Sequence, residues 1–333
     1  MTTATQTPPA PPTPISRPSG STPMRLIKAE LLKIFTTNSW WIFGILVLAS
    51  TSLALLINIL IANESLNQAQ QMAAEGMPNF GEVPPGAPPD YQGPSQQDIE
   101  SMQADWLARS DVHRVLVNAT ADVFTSGQFL VLLFMVVIGA LIVTNEFHHQ
   151  TATATFLATP HRTAVILAKL AAATILAAGF GIVVMAIDVG VGSAYFGLNG
   201  YDVLLTDWPV VRSVLMNLLA FVIWVILGVG FGVLIRNQLG ATITGGALYL
   251  ISFPIAFTFF GLVRTFLIKE DWVWDWMVAV PGVASNMMIR VEPMQFDTGV
   301  YGPPWWVAAL VLAGYAVVAS VVGTLITRKR DIS

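Results

Sequence analysis

Six stretches of the chain are each long and apolar enough to cross a lipid bilayer, and they leave little freedom in how it folds. They are residues 40–61, 124–144, 163–187, 214–235, 241–268 and 305–327. A helix rising about 1.5 Å per residue needs about 20 apolar residues to cover about 30 Å of hydrocarbon. In hydrocarbon every backbone N–H and C=O must be paired within the segment, so runs of this length read as helices. Composition agrees: only 11% of the 333 residues are charged and 54% are hydrophobic, whereas a soluble domain carries roughly 25% charge. The predicted fold class is an all-α integral membrane protein. It has six transmembrane helices, an N-terminal amphipathic helix, and re-entrant external helices between spans 5 and 6.

The segments between the runs differ sharply in character. Residues 1–23 are rich in Pro, Thr and Ser and predict a disordered tail. No apolar run precedes Trp40, so no cleavable signal peptide is expected. From residue 24 to 37, Ile27, Leu31, Ile34 and Phe35 share one helical face, with Arg25, Lys28 and Lys33 largely off it. A short basic amphipathic helix of this kind lies in the headgroup layer. Residues 62–123 form a large external loop, Pro- and Gly-rich over 76–94, then helical in period through Ile99, Met102, Trp106 and Val117. The fifth span carries Pro254, which deletes a helical hydrogen bond and predicts a kink or break there. After it, Trp272, Trp274 and Trp276 precede an apolar stretch, 278–289, too short to cross. That pattern suits re-entrant or interfacial helices with the tryptophans at headgroup depth.

Six spans put both termini on one side. The side that holds the tail, the 145–162 connection, Arg236 and the C-terminus carries ten of the 16 Lys and Arg but three of the 20 acids. Counting Lys and Arg in the connections then places both termini in the cytoplasm of a multi-pass plasma-membrane protein.

Little in the chain points to chemistry of its own. There is no cysteine, which removes disulfides and thiolate catalysis. None of Lys28, Lys33, Lys169, Lys269 and Lys329 follows a glycine, so no phosphate-binding P-loop is present. His148 and His149 are adjacent and point about 100° apart on a helix, which does not suit a shared metal. No catalytic residue and no metal site is predicted, and the chain is not expected to be an enzyme. Asp188 lies about 25 residues from Thr163, roughly 37 Å along a helix, and reads as an interfacial acid at the outer boundary. Asn58 and Asn217 are read as able to hydrogen-bond between helices, and Gly179, Gly181, Gly228, Gly230, Gly232, Gly245 and Gly246 as close-packing positions. No relay of Asp, Glu or His runs through mid-membrane, which speaks against a proton-coupled carrier.

Residues 145–169 carry a recognisable order. Glu146 ends the second span, followed by Phe147-His148-His149 and Gln150-Thr151. Then come Thr155-Phe156-Leu157-Ala158, the turn Thr159-Pro160-His161-Arg162, and Lys169 in the third span. With the basic helix at 25–33 and Asn38-Ser39-Trp40-Trp41 after it, this resembles the permease subunits of ABC-2-type exporters, particularly the actinobacterial group. The resemblance covers about residues 24–330. It departs at Gln150, where that family has glycine, and the 62–123 loop is longer than in its minimal members.

The resemblance implies a permease domain whose coupling helix, within 145–162, docks on a separate ABC ATP-binding subunit. Glu146, Thr151, Thr155, Phe156, Leu157 and Arg162 would make that contact, and Arg25, Lys28 and Lys33 would belong to a connecting helix. It implies no cofactor in this chain, with ATP and Mg bound by the partner. It also implies alternating access at the interface with a second permease copy or a paralogue, in the lipid bilayer and without nucleic acid. Two other readings stay open: a non-transporting membrane anchor or regulatory subunit of an ATPase complex, and a secondary transporter.

Overall fold

The computed structural model describes residues 23–82, 93–148, 162–235, 237–296 and 301–329. The helices in chain order are α1 (Pro23–Thr36), α2 (Ser39–Glu75), α3 (Gln96–Ser110), α4 (Val112–Phe124), α5 (Gln128–His148), α6 (Arg162–Leu198), α7 (Trp208–Ile235) and α8 (Gln238–Leu262). A wider-wound turn, Val263–Ile268, and a tight helical segment, Asp271–Ala279, lead to α9 (Pro281–Ile289) and α10 (Trp305–Lys329). Among the described residues the chain is all-α, apart from one bridge between Gln295 and Tyr301.

Six helical stretches are long and apolar enough to cross a membrane: Ser39–Glu75, Val112–Phe147, Thr163–Leu198, Trp208–Ile235, Gln238–Ile268 and Trp305–Ile326. This architecture fits a multi-pass membrane protein. Its outer faces are apolar, with residues such as Leu53, Leu60, Ile243, Ile255, Leu310 and Val317 uncovered by the chain itself. A soluble protein rarely leaves apolar surface so extensive.

The helices are not equivalent. The α4–α5 stretch and α7 have 61% of their apolar window buried within the protein, while α2, α8 and α10 have 17–22%. The bundle is therefore built around α5 and α7, with the others at its rim. The central pair touches backbone to backbone. A Cβ on Gly139 of α5 would collide with the Val225 carbonyl, and one on Gly228 of α7 with the Val136 carbonyl. Small residues allow membrane helices this approach, which replaces side-chain interdigitation with backbone packing. Around the seam lie Leu132, Met135, Phe221 and Trp224, all buried.

The 271–296 region is tied into this core. Trp224 stacks edge-on against Tyr249 of α8 at 4.7 Å, and its Nε1 donates to Ser285 Oγ of α9 at 2.7 Å. Gln128 at the start of α5 donates to the Ser285 carbonyl at 2.9 Å. Arg212 of α7 donates to the Arg290 and Val291 carbonyls and lies 5.1 Å over the Trp305 ring. Arg114 of α4 grips Glu292 through both carboxylate oxygens. That hydrogen bond, opposed by partial burial and helped by the Arg114 charge, holds the Glu292 carboxyl below its ordinary range.

Several expectations change in detail. Helix α8 runs through Pro254 without a break, and the irregularity comes at Val263–Ile268 instead. Trp272 and Trp276 are exposed, but Trp274 is buried and stacks on Phe296 at 4.9 Å, so the three tryptophans do not share one environment. The periodicity over 99–117 belongs to two helices. α3 is capped by the Ser95–Asp98 box, and α4 starts afresh where the Asp111 side chain accepts from the Arg114 amide. Asn58 donates to Ala54 of its own helix, and Asn217 Oδ1 has no partner among the described residues, so the expected interhelical bonds are not seen. Helix α6 continues ten residues beyond Asp188, which is fully buried instead of lying at a solvated boundary.

The central seam yields a direct test. Gly139→Ala and Gly228→Ala each force backbone atoms apart, and either should lower stability by roughly 1–3 kcal/mol or more. Alanine at Gly179, where nothing lies within 4 Å, should be neutral. Thermal unfolding of the purified chain in detergent separates these outcomes.

Candidate functional site

Helix α1 turns Ile27, Glu30, Leu31 and Ile34 inward, a spacing that keeps all four on one face. An acid sits where an apolar face has its centre, and Phe35, expected on that face, is 48% exposed. Glu30 is tolerated because two other helices bring it partners. Lys169, seven residues into α6 from Arg162, reaches Glu30 Oε2 with its Nζ at 2.7 Å. The same Nζ lies 2.8 Å from Oε1 of Glu146, in the last turn of α5.

Lys33, one turn after Glu30, closes the ring. Its Nζ lies 2.7 Å from Glu30 Oε1 and 2.7 Å from Glu146 Oε1. Each lysine thus touches both glutamates, and the four charges cancel. The side chains of Lys169, Glu30 and Glu146 are 6%, 7% and 10% exposed, and that of Lys33 is 45% exposed. Partial burial alone would lower the Lys33 pKa. Hydrogen bonds to Glu146 and Glu30 and their charges outweigh it and hold the ammonium above its ordinary value. Its contribution is therefore fully present at neutral pH and is lost only as pH rises through that raised value. Beside Lys33 an apolar cleft opens, lined by Ile34, Trp40, Phe43, Ile138 and Ile142.

The cluster can fasten three helices to one another. Among the described residues no group of His, Asp and Glu could hold a metal ion. Charges buried in low dielectric do not add much net stability, but stripping one partner leaves the others uncompensated, at a cost of about 3–5 kcal/mol. The ring is thus a lock on relative position more than a source of stability.

Of the residues expected to matter, the structure brings Glu146 and Lys33 together. Arg25 and Lys28 lie exposed on α1, away from the cluster. Arg162 opens α6. Thr151, Thr155, Phe156 and Leu157 lie outside the described residues, as does most of the 145–162 connection. Glu30 was not singled out from the sequence, and Lys169 was noted only as part of a motif. The available signal was balance: Glu30-x-x-Lys33 on a short helix, with an acid and a lysine flanking one connection between spans.

Residues 110–333 match the model of a family described as Protein of unknown function (DUF2705). The chain belongs to this family. The DUF2705 match takes in Glu146 and Lys169 and leaves α1 and α2, with Glu30 and Lys33, outside the matched residues. No curated protein matches the chain.

Lys169→Met or Glu30→Gln should each destabilise the chain by about 3–5 kcal/mol. The double variant leaves Lys33 and Glu146 as a balanced pair and should lose clearly less than the sum. Lys33→Met should cost less than either, because water already reaches that side chain. Thermal unfolding of the four proteins in detergent is the measurement.

Proposed function

We propose that the chain is the transmembrane permease subunit of an ATP-driven exporter of the ABC-2 type. It forms a translocation pathway with a second copy or a paralogue, and a separate ATP-binding subunit holds ATP and Mg. The observation that carries this reading is the four-charge ring. It fastens α1 to both arms of the α5–α6 hairpin, whose segment 145–162 is where the resemblance puts the ATPase contact. A pull on that segment acts on α5, α6 and α1 together, as a transmission element requires.

In this reading both termini are cytoplasmic and the membrane is the plasma membrane, as the Lys and Arg distribution indicates. α1 rests in the headgroup layer with Leu32 and Phe35 turned outward, and residues 271–289 form a re-entrant pair on the far side. Glu146 and Arg162 flank the ATPase contact, which Thr151, Thr155, Phe156 and Leu157 complete.

One observation favours a second reading, a carrier driven by an ion gradient: Asp188 is a fully buried acid within a spanning helix. Such residues often mark ion pathways.

Purification of the tagged full chain in mild detergent, with mass spectrometry of co-purifying proteins and an ATPase assay, decides between them. A stoichiometric P-loop ATPase, lost on substituting residues 152–159, supports the permease. A chain that purifies alone, even after crosslinking in membranes, supports the carrier and ends the permease reading. In the complex, Arg162→Glu should lower transport-linked ATPase activity by about fivefold or more with membrane insertion intact. Unchanged activity would remove that residue from the coupling path.

A further inference from the structure

Asp188 lies on α6, and both of its carboxylate oxygens are buried without a hydrogen-bond partner among the described residues. Its polar neighbour is the backbone amide of Gly127, at the junction between α4 and α5. On its other side the same glycine meets α2: a Cβ on Gly127 would lie 2.6 Å from Thr51 Oγ1. Thr51 is also fully buried, and its hydroxyl likewise has no partner. Three helical stretches thus converge on one buried polar spot.

Gly44 of α2 packs against Phe180 of α6, with a Cβ 3.3 Å from the ring. Thr51 is seven residues after Gly44, and Asp188 is eight after Phe180, so the two run level. Thr51 stands midway along the apolar run 40–61 of α2. Gly127 and Asp188 stand near the ends of the apolar runs 124–144 and 163–187, so the three helices meet at different points along their lengths.

Among the described residues no charge compensates the Asp188 carboxyl. On the helices packed against α6, Glu30 and Lys33 of α1 and Glu146 of α5 belong to the four-charge ring with Lys169. On α4, Arg114 binds Glu292, Asp122 faces Arg290, and His113 is exposed. Arg212 of α7 is held by the Arg290 and Val291 carbonyls. Glu64 and Glu75 lie far along α2, while Arg328 and Lys329 lie at the last turn of α10. The Gly127 amide and the start of α5 favour negative charge, but one amide and one helix end offset only part of the cost of burying an unpaired carboxylate.

We propose that Asp188 is a proton-binding site, occupied while α2, the α4–α5 junction and α6 are packed together and emptied when they part. In the packed state the neutral acid carries no charge for its buried surroundings to compensate. When the seam opens, the carboxyl O–H bond breaks and the proton passes to the water admitted. The packed state holds a proton that the open state releases, so raising pH favours opening. This stands under either functional reading, since neither transport nor ATP hydrolysis enters it.

The test uses the full chain in lipid nanodiscs. An infrared difference spectrum between wild type and Asp188→Asn at neutral pH should show a protonated-carboxyl C=O band that the variant lacks. If no such band is lost, the proposal is overturned. The chain has no cysteine, so Val47→Cys, buried on α2 one turn before Thr51, reports opening. Its labelling by a membrane-permeant maleimide, corrected for thiolate, should rise with pH by up to about tenfold per pH unit, the limit for one linked proton. In the Asp188→Asn background it should stay flat, and parallel profiles would refute the link. Asparagine copies the shape of the neutral acid, so the variant should fold and melt like wild type. A variant that fails to insert, or melts far lower, would mean the ionised group is needed and would equally overturn the proposal.

Discussion

Where α5 and α7 cross at Gly139 and Gly228, no side chain separates the two backbones, and the placement of the other helices follows from that contact. Lipid offers no hydrophobic drive for helices to associate, so close packing and hydrogen bonds must supply it. With the middle of α5 fixed against α7, its two ends become fixed points. One end is the Thr125–Gly127 junction, where α4 hands over to α5. The other is Glu146, where α5 leaves the bundle. Helix α6 passes both, and each of its two buried charges, Asp188 and Lys169, meets one end of α5.

These two ends solve the same electrostatic problem in different ways. At the α1 end four charges compensate one another, and each distance in the ring is that of a strong ion pair. The arrangement is rigid, because any displacement of one helix exposes charge in a medium that does not solvate it. At the other end a single acid has no counter-charge among the described residues, and its polar neighbour is one backbone amide, that of Gly127. Burial without a counter-charge is the weaker arrangement, and it marks the place where the bundle has least to lose by opening.

Much of the architecture was legible because bilayer thickness acts as a ruler. Six runs of the right length became six helical stretches. What the sequence hid was register between helices. Asp188 reads as a boundary residue when counted from Thr163, but α6 runs ten residues further and the residue is fully buried. Glu30 reads as an ordinary surface acid on a basic helix until Lys169, 139 residues away, is brought to it. Gly139 is one glycine in an apolar run, and only the opposing Gly228 shows what it is for. Pro254 failed as a marker of a break, since losing one backbone bond in α8 did not interrupt the helix.

The ring also limits how a hairpin of this kind can move. Sliding α1 along α6 by one residue, about 1.5 Å, would pull Lys169 away from Glu30 and leave charge uncompensated at both. Twisting α5 would do the same at Glu146. A force on the 149–161 connection therefore moves α1 and the adjoining ends of α5 and α6 as one body, and the displacement must be taken up elsewhere. The central seam cannot yield without opening a backbone contact. What remains is the α4–α5 junction, where the Thr125 and Ser126 hydroxyls bond to carbonyls of the preceding turn and Asp188 meets no counter-charge among the described residues. In such a bundle the end held by four mutually compensated charges is the more constrained, and the end that buries Asp188 without a counter-charge is the less constrained.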